Sequence, residues 1–149
     1  MPDVIVRSAG LADLPGMLAL YRHLNPGDPV ADRAKAETAW ADLIGSALTT
    51  VFVAEAGEEL VSSCTLVIVP NLTRGVRPYG LIENVVTHAD HRRAGLGRAV
   101  LAAALEAAWV ADCYKVMLAT GSRREETLRF YEGAGFARGG KTYFEVRRR

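Results

Sequence analysis

At 149 residues, half of them hydrophobic and 23% charged, the chain has the composition of one soluble globular domain with room for a substantial core. Eighteen Lys and Arg stand against 17 Asp and Glu, so no basic excess points to nucleic acid as a partner. No apolar run is long enough to span a bilayer, and the N-terminus lacks a basic region followed by an apolar one, so a cytoplasmic protein with no membrane partner is expected.

In chain order, residues 4–7 predict a short strand. A helix is expected from 13, with Leu14, Met17, Leu18 and Tyr21 on one face, broken by Asn25-Pro26-Gly27-Asp28-Pro29. A second helix over 31–47 carries Ala36, Trp40, Leu43 and Ile44. Residues 51–54 and 60–69 flank Glu55-Ala56-Gly57-Glu58 and read as a hairpin. A loop over 70–79, bearing Arg74 and Arg77, leads to a strand at 81–86. A helix over 96–111 places Leu101, Leu105, Ala108 and Trp109 on one stripe, and a strand at 114–119 follows. A helix over 124–134 stops at Gly135, and residues 143–146 predict a final strand. The order β-α-α-β-β-β-α-β-α-β implies an α/β fold, a mixed sheet with helices on both faces.

Chemistry concentrates at one junction. Arg92, Gly95 and Gly97 form R-x-x-G-x-G where an apolar strand gives way to a helix. Glycines let the backbone approach a ligand closely, and the first-turn amides of a helix lack internal partners. The helix dipole adds to them, and Arg92, Arg93 and Arg98 add charge, so the turn suits a phosphate or pyrophosphate. Two other patterns compete. Residues 135–142 match the P-loop expression G-x-x-x-x-G-K-[ST], but a helix precedes them and β-like chain follows, the reverse of what a P-loop needs. A dinucleotide-binding turn would put its third small residue at Val100, late in the domain rather than in an opening βαβ unit.

Val85-Val86-Thr87, then Arg92-x-x-Gly95-x-Gly97, then Phe130-Tyr131-Glu132-Gly133-Ala134-Gly135-Phe136 resemble the GNAT superfamily of acyl-CoA-dependent N-acetyltransferases, over nearly the whole chain. The resemblance implies a single domain over 1–149, with a mostly antiparallel twisted sheet whose fourth and fifth strands splay to admit acetyl-CoA. It implies that backbone groups of Val85, Val86 and Thr87 hold the pantetheine arm like an added strand. Amides from Arg92, Arg93, Ala94, Gly95, Leu96, Gly97 and Arg98 would cradle the pyrophosphate. It implies direct acetyl transfer to a primary amine of a small molecule, without a metal, in a protein that is a homodimer in many relatives. Transfer to a protein N-terminus or lysine, and a non-catalytic acyl-CoA-binding module, are the other readings. Many relatives have Asn where Arg124 stands; Arg124 cannot accept a hydrogen bond and is expected to be a surface arginine, with a reach to a cofactor phosphate as the alternative.

Two residues are the catalytic candidates. Glu83 is a carboxylate inside the apolar run 81–86, where burial of a charge is costly. Amine acetylation needs a proton acceptor, and several relatives carry a catalytic Glu at this strand position. The competing reading pairs Glu83 with Arg74 or Arg77. The resemblance makes Tyr131 the acid that protonates the departing thiolate; a phenol titrates near 10 and holds its proton at neutral pH. Its competing reading is a core aromatic beside Phe130. His23, His88 and His91 are expected to be solvated or hydrogen-bonded surface side chains, and Cys64 and Cys113 to be buried, reduced thiols.

Overall fold

In the computed structural model, which describes residues 3–149, five strands form one sheet whose spatial order follows the chain. They are β1 (Val4–Ser8), β2 (Thr49–Ala56), β3 (Glu59–Val69), β4 (Tyr79–Thr87) and β5 (Val116–Met117). Successive pairs from β1 to β4 are antiparallel, and β5 joins β4 in parallel. The helices are α1 (Leu14–Tyr21), α2 (Arg33–Gly45), α3 (Thr73–Val76, a single turn), α4 (Leu96–Val110) and α5 (Glu125–Gly133).

The central strands are apolar without alternation because both sheet faces are covered. Met17 and Leu20 of α1 and Trp40 of α2 pack with Val51, Val53, Leu60 and Val86 on one face. Phe52 lies between Val51 and Val53 and so points to the other face, with its cross-strand partner Cys64. There the Cys64 thiol donates to the Val100 carbonyl of α4 at 3.4 Å. The buried stripe of α4 is Leu96, Gly97, Val100, Leu101, Ala104 and Ala108. Trp109, expected on it, is 50% exposed, so the helix is turned from the predicted orientation by the i, i+4 row through Val100 and Ala104.

Two compact units divide the chain, Met1–Met117 and Leu118–Arg149. The first holds the sheet and α1–α4. The second holds α5, which Gly135 closes at φ 105°, its amide donating to the Glu132 carbonyl. Two expected strands are corrected. The strand at 114–119 shortens to Val116–Met117, and 143–146 forms none: Tyr143, Phe144 and Val146 are 65%, 86% and 97% exposed. Strand propensity needs a pleated neighbour to pack on, and the propensity of this segment alone does not hold one. No helix among the described residues is long and apolar enough to cross a membrane.

Candidate active site

The ladder between β4 and β5 consists of Gly80 opposite Val116 and Leu81 opposite Met117, and ends there. A Cβ at position 80 would stand 3.2 Å from Leu66 Cδ1 and 3.3 Å from Val116 Cγ2, so glycine lets β5 close onto β4 at this end. Beyond Leu81 no strand among the described residues pairs with this side of β4, which leaves a free edge suited to an extended ligand. The other side of β4 is bulged. Ser63 faces Val86 and Thr65 faces Glu83, so Cys64 alone opposes Asn84 and Val85. Asn84 takes φ 53°, which Asn tolerates better than most residues. Such bulges re-aim backbone and side chains. Ser62 anchors the strand past the bulge, its hydroxyl donating to the Val86 carbonyl at 3.0 Å and lying 2.9 Å from the Thr87 hydroxyl.

β4 runs into a 3-10 turn (Ala89–His91), then Arg92 to Ala94, then α4. Gly95 caps α4 in the left-handed region, φ 78° and ψ 9°, with open space where a Cβ would stand. The first helical bond runs from the Ala99 amide to the Gly95 carbonyl at 3.0 Å. The amides of Leu96 and Gly97 therefore fall in the first turn, where helix geometry supplies no acceptor. Arg92, Arg93, Ala94 and Arg98 are exposed around it, and Arg92 Nε reaches back to the Thr87 carbonyl at 3.4 Å. Free strand edge, bulge and helix N-terminus lie in succession along one stretch of chain. They fit a ligand with an extended arm ending in a pyrophosphate, as acetyl-CoA has.

Glu83 is exposed, which corrects the burial expected from its apolar neighbours. The run 81–86 reads as a covered strand, but the cover provided by β5 ends at Leu81. Neither arginine of the loop pairs with it. Arg77 binds Asp112 at 3.2 Å, and Arg74 lies 5.8 Å over the Tyr114 ring. Glu83 shares a sheet face with its cross-strand partner Thr65. The Thr65 hydroxyl is buried without a hydrogen-bond partner among the described residues, and burial raises the Tyr21 phenol, an effect that Thr65 only partly offsets.

In the second unit, Tyr131 is half-buried, its ring edge-on to Phe130 at 5.0 Å and Phe136 at 6.4 Å. The packing role expected as its alternative is present. Arg124 is a surface residue, 76% exposed and 3.0 Å from Glu126. Residues 135–142 are followed by no helix, which disposes of the P-loop match.

The cysteines are free and buried, and burial pushes the Cys64 thiol up to about 12, far from a nucleophile's range. His23 and His88 are hydrogen-bonded as expected, each accepting at Nδ1 from a backbone amide, and the three histidines also pack ring against ring. Two signals for this site escaped the sequence reading. The bulge at Asn84 has no residue code of its own, and the spacing of His88 and His91 gained meaning only from the 3-10 turn.

The chain is similar to known proteins over most of its length. The model of the acetyltransferase (GNAT) family matches residues 17–136. A glucosamine 6-phosphate N-acetyltransferase of Trypanosoma brucei brucei is 35% identical over 134 residues, 90% of this chain and 89% of that protein. A solved chain from Agrobacterium tumefaciens str. C58, described as an acetyltransferase, is 46% identical with TM-score 0.92, covering 97% of this chain and 99% of its own. An aminoglycoside N-acetyltransferase in complex with CoA shares the fold at TM-score 0.82 and 16% identity, over 99% of this chain and 97% of its own.

Proposed function

Because the chain belongs to the GNAT family of acetyltransferases, we propose that it acetylates the amino group of a phosphorylated amino sugar such as glucosamine 6-phosphate. It is an acyl-CoA-dependent N-acetyltransferase that acts on a primary amine of a small molecule. The phosphorylated acceptor is supported by the cations at the head of β4. Lys115 lies 5.4 Å and 5.3 Å from the Tyr79 and Tyr114 rings, and Arg74 stacks on Tyr114. Among the described residues neither cation pairs with a carboxylate. Arg74 and Val76 are held at φ 57° and 61°, a costly backbone for a β-branched residue that a binding loop can retain. The name of the trypanosomal relative points the same way.

The thioester of acetyl-CoA supplies an activated acetyl group. In this reading, backbone amides of Val85, Val86 and Thr87 align the pantetheine arm, and those of Arg92, Arg93, Ala94, Gly95, Leu96, Gly97 and Arg98 hold the pyrophosphate. The re-aimed backbone at Asn84 to Val86 polarises the thioester carbonyl, in the manner of an oxyanion hole. Glu83 takes the amine proton, directly or through water, and Tyr131 gives one to the departing sulfur. Fixing the two substrates together supplies much of the rate. The reading treats 1–149 as one catalytic domain in the cytoplasm, where its thiols stay reduced. It also includes a homodimer, supported by the exposed Val4, Ile5 and Val6 of edge strand β1 and by Phe144 and Val146.

The test is thiol release with glucosamine 6-phosphate, glucosamine, an aminoglycoside, spermidine and a peptide amine. Loss of the phosphate should lower kcat/KM by about 10- to 100-fold, the weight of one or two charge-assisted hydrogen bonds. Equal kcat/KM for glucosamine, or a faster peptide, would overturn this acceptor. Glu83→Gln keeps the shape and should lower kcat by about tenfold, below the 10²–10⁴ of an enclosed acid or base because water can take the proton at an exposed carboxylate. An unchanged kcat for Glu83→Gln on the best acceptor would leave the proton to water alone.

A further inference from the structure

All three histidines of the chain meet where β4 leads into the glycine turn. His88 and His91 flank the 3-10 turn, where three residues per turn set positions three apart on the same side. Both direct Nε2 at one carboxylate, that of Glu59 at the start of β3. Oε1 lies 3.2 Å from His88 Nε2, and Oε2 lies 3.8 Å from His91 Nε2. The donor atoms of the three residues lie within 4.8 Å of one another. The His23 ring backs the cluster, 4.0 Å from the His88 ring, with its Nδ1 accepting from the Ala89 amide at 3.3 Å. His88 and His91 are 18% and 33% exposed and Glu59 is 57% exposed, so one side of the group opens to water.

We propose that Glu59, His88 and His91 form a binding site for a divalent cation of the zinc class, with water completing its coordination. Two imidazoles and one carboxylate are the donors such cations take, whereas magnesium and calcium select oxygen-only sets. The carboxylate between the rings repels a phosphate and so sets this cluster apart from the neighbouring pyrophosphate loop. Without a cation, the His88 Nδ1 accepts from the Asp90 amide at 3.0 Å, so the neutral ring carries its proton on Nε2, toward Glu59. Cation binding sends that proton to solvent while Nδ1 gains one from solvent, with no net change. It opens one exposed amide hydrogen bond that water replaces. His91 adjoins Arg92, so a bound cation ties the start of the cofactor loop to the β2–β3 hairpin.

Calorimetry with zinc chloride on tag-free protein tests the site, with cobalt(II) absorption reporting its geometry. One equivalent should bind per chain with micromolar affinity. Glu59→Gln and His91→Ala should each weaken binding by at least about 10- to 100-fold, the loss seen even when only supporting groups of a metal site are removed. His23→Gln should leave the site in place. Circular dichroism and acetyl-CoA affinity measured without metal should show both ligand variants folded. Absence of saturable binding below millimolar zinc, or binding that either Glu59→Gln or His91→Ala leaves intact, overturns the proposal.

Discussion

Gly97→Val should abolish acetyl-CoA binding in a chain that still folds. Gly97 is buried at the second position of α4, just after Gly95 turns the backbone at φ 78°. A pyrophosphate at this turn bonds to amides rather than side chains, so it needs the backbone itself within hydrogen-bond distance. A branched side chain interposes bulk and removes several such bonds at once. Helix propensity does not oppose the change, since glycine is the poorer helix former. Because the site is also packed, Gly97→Ala is the companion variant, expected to weaken binding without ending it. Calorimetry with acetyl-CoA, beside circular dichroism, checks both. A folded Gly97→Val protein with normal affinity would remove the pyrophosphate assignment.

Tyr131→Phe should lower kcat by about 10²-fold or more while leaving stability and acetyl-CoA affinity almost unchanged. The substitution deletes one hydroxyl and keeps the ring contacts with Phe130 and Phe136, so the aromatic packing of the second unit survives. The loss falls on kcat because protonation of the leaving thiolate matters only as the C–S bond breaks. An unchanged kcat on the preferred acceptor would reduce Tyr131 to that packing.

The sequence made the fold readable wherever a local rule governs an element. Helical spacing placed α1 and α5 to within a few residues, the turn at Gly57 marked the β2–β3 hairpin, and R-x-x-G-x-G located the start of α4. Where neighbours decide, the reading fell short. Glu83 follows apolar residues, but its exposure depends on where β5 leaves β4. The segment at 143–146 is rich in strand-favouring residues and finds no ladder in which to be one. Trp109 fits a helical stripe that the sheet meets from another angle. The histidine cluster draws His23 and Glu59 from elements distant in sequence, which no spacing rule connects.

The central claim is direct acetyl transfer from acetyl-CoA to a small-molecule amine. It is tested most directly by NMR with acetyl-CoA carrying ¹³C in the acetyl carbonyl, incubated with enzyme and glucosamine 6-phosphate. The account predicts one new amide carbonyl on the sugar for each CoA thiol released, with no label on the protein. Thiol released without amide, or label lodged on the protein before any reaches the amine, would contradict it.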